Sequence, residues 1–150
     1  MNDLVRAAFA AFLDDLSAPP SVTLRGGDAL DDHAMPAPFD PALDAITDDY
    51  LHRYRWGIGF LDPPSWRHYL PHLIEHAVRH QVAGSDVIDC LLERLRPPDT
   101  GRLSALTTDQ EAVVVQLLDS IAFSETSPHS AQAQAALEEW WAPGALYRPG

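Results

Sequence analysis

The stretch R-H-Y-L-P-H-L-I-E-H-A-V-R-H, residues 67–80, decides how the chain is read. Leu70, Leu73, Ile74 and Ala77 recur at three- and four-residue spacing, the period of an amphipathic helix. His68, His72, His76 and His80 recur at every fourth position along it. Pro71 interrupts the pattern, because inside a helix it removes one backbone hydrogen bond and crowds the preceding turn, at a cost of about 3 kcal/mol. The economical reading makes 65–69 a short turn and puts Pro71 at the first position of the main helix. His68 then leaves the register of the other three. On the restarted helix His72 and His76 fall away from the apolar centre and His80 lies at its edge, so all three are expected at the surface or its boundary.

Residues 72–76, H-L-I-E-H, match the H-x-x-E-H zinc-protease pattern. Two histidines four apart on a helix can chelate one ion, but a catalytic zinc needs a third protein ligand and an open position in a dry cleft. Glu138 or Glu139 would have to supply that ligand from about sixty residues away, and the proteases with this pattern are much larger than 150 residues. Asp48, Asp49 and His52 form a second loose set, D-D-x-x-H, which with His72 and His76 would make a mixed carboxylate–histidine site. The metal alternative therefore rests on Asp48, His52, His72 and His76. The plainer expectation is polar helix faces and no cofactor. Cys90 is the one thiol, set among Ile88, Leu91 and Leu92, and reads as a small packing residue rather than a nucleophile. The G-I-G at 57–59 lacks the third glycine of a dinucleotide fingerprint.

Outward from this stretch the chain reads as all-α, about six helices in a single compact domain spanning 1–150. Asn2 caps a first helix over 3–16, whose stripe is Leu4, Val5, Ala8, Phe9, Phe12, Leu13 and Leu16. Asp14 and Asp15 sit at its C-terminal end, where negative charge opposes the helix dipole. Residues 17–39, rich in Pro, Gly, Ala and Asp, are expected to be a long irregular connection, with S-V-T-L a short extended piece and G-G-D a turn. Asp40-Pro41 opens a second helix to about Arg55, and W-G-I-G-F-L-D-P-P (56–64) breaks it. Beyond the histidine helix, a fourth runs over 85–95. A fifth opens on the capping box Thr107–Gln110, and a sixth starts at Ser127-Pro128 and ends at Trp140-Trp141. The tail 142–150 is irregular, with Leu146 and Tyr147 expected to fold back on the core.

Composition narrows the function classes. The 46% hydrophobic content and four tryptophans belong to a globular chain, and the net charge of −12 argues against nucleic acid or an anionic membrane as the partner. No lysine occurs; all ten basic residues are arginine, which with the Ala, Asp and Pro content suggests a bacterial source. A lone cysteine allows no internal disulfide, no run reaches membrane-spanning length, and the N-terminal A-A-F-A-A-F-L lacks the flanks of a signal peptide. A cytoplasmic protein is expected.

The segment W-G-I-G-F-L-D-P-P-S-W-R-H-Y-L-P (56–71), with L-T-T-D-Q-E-A-V-V-V-Q-L-L (106–118), resembles an uncharacterised family of small bacterial proteins whose signature runs Trp-Gly, W-R-x-Y-L-P, then Leu-Thr-x-x-Q. The resemblance covers about 39–123. It implies no activity and no catalytic residues, and its signature includes Trp66, Arg67, Tyr69, Leu70 and Pro71 but not His72, Glu75 or His76. Physically it describes architecture: Trp66 and Tyr69 packed beneath the Trp56–Phe60 loop, Pro71 at a helix entrance, and Arg67 on Asp62 or a backbone carbonyl.

Two functions remain. The first is a non-enzymatic binding protein of immunity or antitoxin type, meeting a basic bacterial effector through Asp14, Asp15, Asp28, Asp31, Asp32, Asp44, Asp48 and Asp49. Trp56, Phe60 or the Trp140-Trp141 pair would serve as anchors. The second is the small metal-dependent enzyme. A structural or regulatory subunit with a non-basic partner is indistinguishable from the first, and the sequence does not set the oligomeric state.

Overall fold

In the computed structural model, which describes residues 2–149, seven α-helices pack around a shared apolar core and no strand occurs among the described residues. They are α1 (Asp3–Ala11), α2 (Leu24–Asp31), α3 (Asp48–Arg53), α4 (Pro63–His80), α5 (Asp86–Arg94), α6 (Thr108–Ala122) and α7 (Ser130–Ala136). Short 3-10 segments at Asp14–Leu16 and Arg55–Phe60 and a π-helical turn at Leu137–Trp141 complete the order. No helix among the described residues is long and apolar enough to cross a membrane.

Helix α4 is the axis, and it runs unbroken through Pro71. The restart expected at Pro71 occurs eight residues earlier, where Asp62 accepts from the Ser65 amide (2.9 Å) and Pro63 and Pro64 occupy the first two helical positions. The energies explain why. Trp66, Tyr69, Leu70, Leu73 and Ile74 are all at most 1% exposed, and burying five such side chains is worth roughly 10 kcal/mol against about 3 for the proline. Arg67 also departs from expectation. It donates to Asp15 (3.0 Å), which takes a second, uncharged donor from Gln110 (2.8 Å), so the carboxylate that opposed the α1 dipole is offset by the Arg67 charge and hydrogen-bonded from two neighbours. Gln110 meanwhile closes the capping box with Thr107 that opens α6.

The connection 17–39 is not wholly irregular, because it contains α2. Thr23 caps that helix by accepting from the Gly26 amide (2.8 Å), and Leu24 is fully buried. Gly26 and Gly27 cost the helix about 1 kcal/mol each relative to alanine, yet one of them makes the packing possible. A Cβ on Gly27 would stand 2.5 Å from the Gly57 carbonyl oxygen, and one on Gly57 only 2.2 Å from the Leu24 carbonyl oxygen. Backbone lies on backbone at this crossing, which fastens α2 to the Arg55–Phe60 segment.

The helix expected from Asp40 begins later. Asp40 accepts from the Ala42 and Leu43 amides to form a turn, and α3 starts beyond Thr47, whose hydroxyl accepts from Tyr50. Trp140 and Trp141 are buried, with the Trp141 indole donating to the Leu95 carbonyl (2.7 Å), which removes both from any exposed anchor set. Leu146 and Tyr147 remain exposed; their amides bond the Glu138 and Glu139 carbonyls while the side chains face outward.

Candidate functional site

Two places gather the residues that carry chemistry. The first is the face built on the α2 crossing. Asp28, Asp31 and Asp32 occupy α2 and its C-cap, while Trp56 (54% exposed) and Phe60 (42%) project from the segment fastened to it. The proximity is close: a Cβ on Gly57 would lie 2.7 Å from the Asp28 amide nitrogen. Burial pushes the Asp28 carboxyl up, repulsion from Asp32 and Asp31 adds to this, and Arg53 and Arg55 oppose it. The Arg55 guanidinium stacks over the Trp56 ring at 5.0 Å. Met35 and Leu43, in the loop that follows α2, are also exposed.

Asp44 does not join that face. Its carboxylate is fully enclosed, taking both nitrogens of a forked Arg25 contact (3.1 and 2.9 Å), the Tyr50 hydroxyl (2.8 Å) and the Asp40 amide (2.8 Å). Burial pushes this carboxyl up, but those donors outweigh it and hold it below the usual range. Its part is to staple the 33–47 loop to α2 and α3. Asp14 and Asp49 are exposed, and Asp15 is half-buried against Arg67.

The second place lies between α3, α4 and α5. Asp48, in the first turn of α3, faces the C-terminal half of α4. Its Oδ1 is 3.0 Å from His76 Nδ1 and 2.7 Å from one Arg79 nitrogen; its Oδ2 is 3.0 Å from His80 Nε2 and 2.9 Å from the other. Arg79 also holds Glu75. The guanidinium keeps the Asp48 carboxyl far below the usual carboxylate range, and Asp48 and Glu75 together raise Arg79.

His76 is buried, contrary to the surface position read from its own helix, because α3 and the start of α5 cover it. Its Nε2 lies 2.8 Å from Ser85 Oγ, the cap of α5, and the Ser85 amide in turn donates to His129 Nε2 (3.1 Å). Burial lowers its pKa, which the contact with Asp48 partly offsets. A neutral His76 then donates Nδ1–H to Asp48 and accepts from the Ser85 hydroxyl at Nε2.

His72 is half-buried with its ring edge-on to Phe9, centroids 5.2 Å apart, and lines a cleft of about 230 Å³ with Thr47, Asp48, Leu51, Glu75 and Arg79. Burial, with His68 beside it, lowers its pKa to about 4. His68 itself bonds the Asp15 carbonyl (3.0 Å), so it keeps its place in the stripe. His52 is exposed and stands outside the cluster.

Of the four metal-ligand candidates in the sequence, the three-ligand group among the described residues takes Asp48 and His76 and adds His80, the atoms lying within 4.8 Å of one another. The signal for His80 was present as the third i,i+4 histidine pair on α4, after His68 with His72 and His72 with His76. What sequence did not carry was which of the three pairs α3 would meet.

A model of the family of unknown function DUF6714 matches residues 1–145. The chain belongs to that family. The match extends on both sides beyond residues 39–123, where the resemblance was read, and takes in α1, α2 and α7. Neither a curated protein nor a solved structure matches the chain. In this DUF6714 member the residues that carry chemistry lie on the α2 face and between α3, α4 and α5.

Proposed function

We propose that the chain is a non-enzymatic protein-binding domain that takes a basic protein partner on the face formed by α2 and Arg55–Phe60. It would act in the bacterial cytoplasm in the manner of an immunity or antitoxin-type protein. The observation that carries the reading is the pairing of three carboxylates, Asp28, Asp31 and Asp32, with two exposed aromatics on one rigid crossing. Exposed aromatic side chains supply anchoring area, and carboxylates around them steer and select a basic surface. A net charge of −12 extends that field over the whole molecule. The backbone contact at Gly27 and Gly57 supports the same conclusion, since a preorganised face loses little freedom on binding.

The test uses the products of the genes adjacent to this one, purified and titrated against the whole chain. A basic product is expected to bind, with Trp56→Ala weakening the complex about tenfold or more and the triple Asp28/Asp31/Asp32→Asn variant slowing association. Raised salt should slow association of the wild type much more than of the triple variant. Binding that ignores all these substitutions, or no binding by any basic neighbour, overturns the reading.

A further inference from the structure

We propose that Asp48, His76 and His80 form a binding site for a divalent transition-metal ion of the zinc class, with Arg79 as the resident cation that the ion displaces. The inference is independent of the protein-binding face.

The first support is convergence. His76 and His80 are four apart on α4 with ring centroids 4.5 Å apart, and Asp48 arrives from α3 so that three donor atoms lie within 4.8 Å. In a tetrahedral zinc site, bonds of about 2.0–2.2 Å put neighbouring ligand atoms roughly 3.3–3.5 Å apart. The two imidazole–carboxylate separations here are 3.0 Å each but fall on different oxygens, Oδ1 for His76 and Oδ2 for His80. Admitting the ion therefore asks the carboxylate to turn one oxygen toward both imidazoles and the three donor atoms, now within 4.8 Å, to close toward that spacing.

The second support is a conflict in the metal-free arrangement. His80 Nε2 is 3.0 Å from Asp48 Oδ2 and also 3.0 Å from an Arg79 nitrogen, which is itself 2.9 Å from the same oxygen. If Nε2 carries a proton, it satisfies the carboxylate and faces the guanidinium donor to donor. If it does not, it accepts from Arg79 and faces the carboxylate lone pair to lone pair. Either way one side of the triangle is unfavourable. A metal ion in place of the guanidinium removes the conflict, because both nitrogen and oxygen then direct lone pairs at one positive centre.

The third support is the outer contact of His76. Coordination through Nδ1 moves its proton to Nε2, where Ser85 Oγ stands ready at 2.8 Å as acceptor, held in place as the α5 cap. Arg79 can leave without becoming unpaired: it is 45% exposed and keeps Glu75. Two imidazoles and one carboxylate suit zinc, nickel or cobalt rather than magnesium or calcium, and solvent would complete the coordination.

The test is titration of the full-length chain, without a histidine tag, with Zn²⁺ by calorimetry and with Co²⁺ by visible absorption. One equivalent of each should bind at or below roughly 100 µM, while Mg²⁺ and Ca²⁺ do not. His80→Ala should weaken Zn²⁺ by roughly tenfold or more, Arg79→Gln should tighten it, and His68→Gln should change nothing. Tightening in Arg79→Gln is a result that a purely structural cluster does not give, and it stands even where His80→Ala folds poorly. Absence of stoichiometric binding, binding retained in a folded His80→Ala, or weakening in Arg79→Gln would overturn the site.

Discussion

Acid should destabilise this protein well above the range where carboxylates titrate, and His72 is a principal cause. Its ring packs edge-on against Phe9, with His68 close by and the Glu75 charge partly offsetting the effect of burial. Burial holds its pKa at about 4, against 6.5 for a free imidazole. Between those values the unfolded chain binds a proton that the folded chain refuses, so stability rises with pH across the interval. The contribution is complete above pH 6.5, is lost as the pH falls toward 4, and changes no further below that, where both states are protonated. At about 1.4 kcal/mol per tenfold difference in proton affinity the ceiling is roughly 3 kcal/mol, and partial solvent access brings the expectation to about 2. Urea unfolding of the wild type and of His72→Phe at pH 7.0, 6.0, 5.0 and 4.5 measures it. The variant should lose about 2 kcal/mol less than the wild type between pH 7.0 and 4.5. His76 is also depressed and adds to the wild-type slope, but it is common to both proteins and cancels in the difference. Parallel pH curves, with the denaturant slope unchanged, would refute the assignment to His72.

Three further substitutions test the architecture. Gly57→Ala forces a Cβ to 2.2 Å from a backbone oxygen that cannot rotate away, and should cost about 3 kcal/mol or more in urea unfolding. Gly26→Ala, whose Cβ would stand 3.1 Å from the Thr23 hydroxyl, 3.3 Å from Pro36 and no closer than 3.7 Å to the backbone oxygen of Ala37, should stay within about 1 kcal/mol of wild type; equal losses would dissolve the close-crossing argument. Asp44→Asn leaves the Arg25 guanidinium, 19% exposed, against a neutral amide, and should lower stability at pH 7 by about 2–3 kcal/mol. Because the Asp44 carboxyl sits below its ordinary range, the wild-type advantage should be full above about pH 4 and decline progressively below it, as the folded carboxyl is protonated, and an advantage that did not change with pH across that range would contradict the ion pair.

Features decided within one turn of helix were legible in the sequence. Asn2 and the Thr107–Gln110 box cap their helices where the local pattern placed them, because a cap needs only its own chain three residues on. Features decided by a distant segment were not. G-G at 26–27 looks like a turn until Gly57 is known to press against it. Pro71 looks like a helix start until the burial around it is counted, and Arg67 chose Asp15, 52 residues away, over Asp62. His76 falls on the polar side of its own wheel, and a single-helix wheel cannot register that α3 and α5 close over that side.

Helix α3 shows how closely the two candidate places depend on one short element. Six residues make too little helix to persist alone, so α3 must be held by what its side chains reach. Asp48 reaches forward to α4, where Arg79 and two histidines take it. Two residues on, Tyr50 reaches back: its hydroxyl donates to Asp44 and accepts from the Arg25 amide in the first turns of α2. Tyr69 of α4 closes the circuit by accepting from the Leu24 amide. The polar side chains of α3 therefore fix both the α2 face and the histidine end of α4. This gives a physical reason for a carboxylate and a buried tyrosine two residues apart on so short a helix, where an apolar stripe alone would have fixed neither neighbour's position.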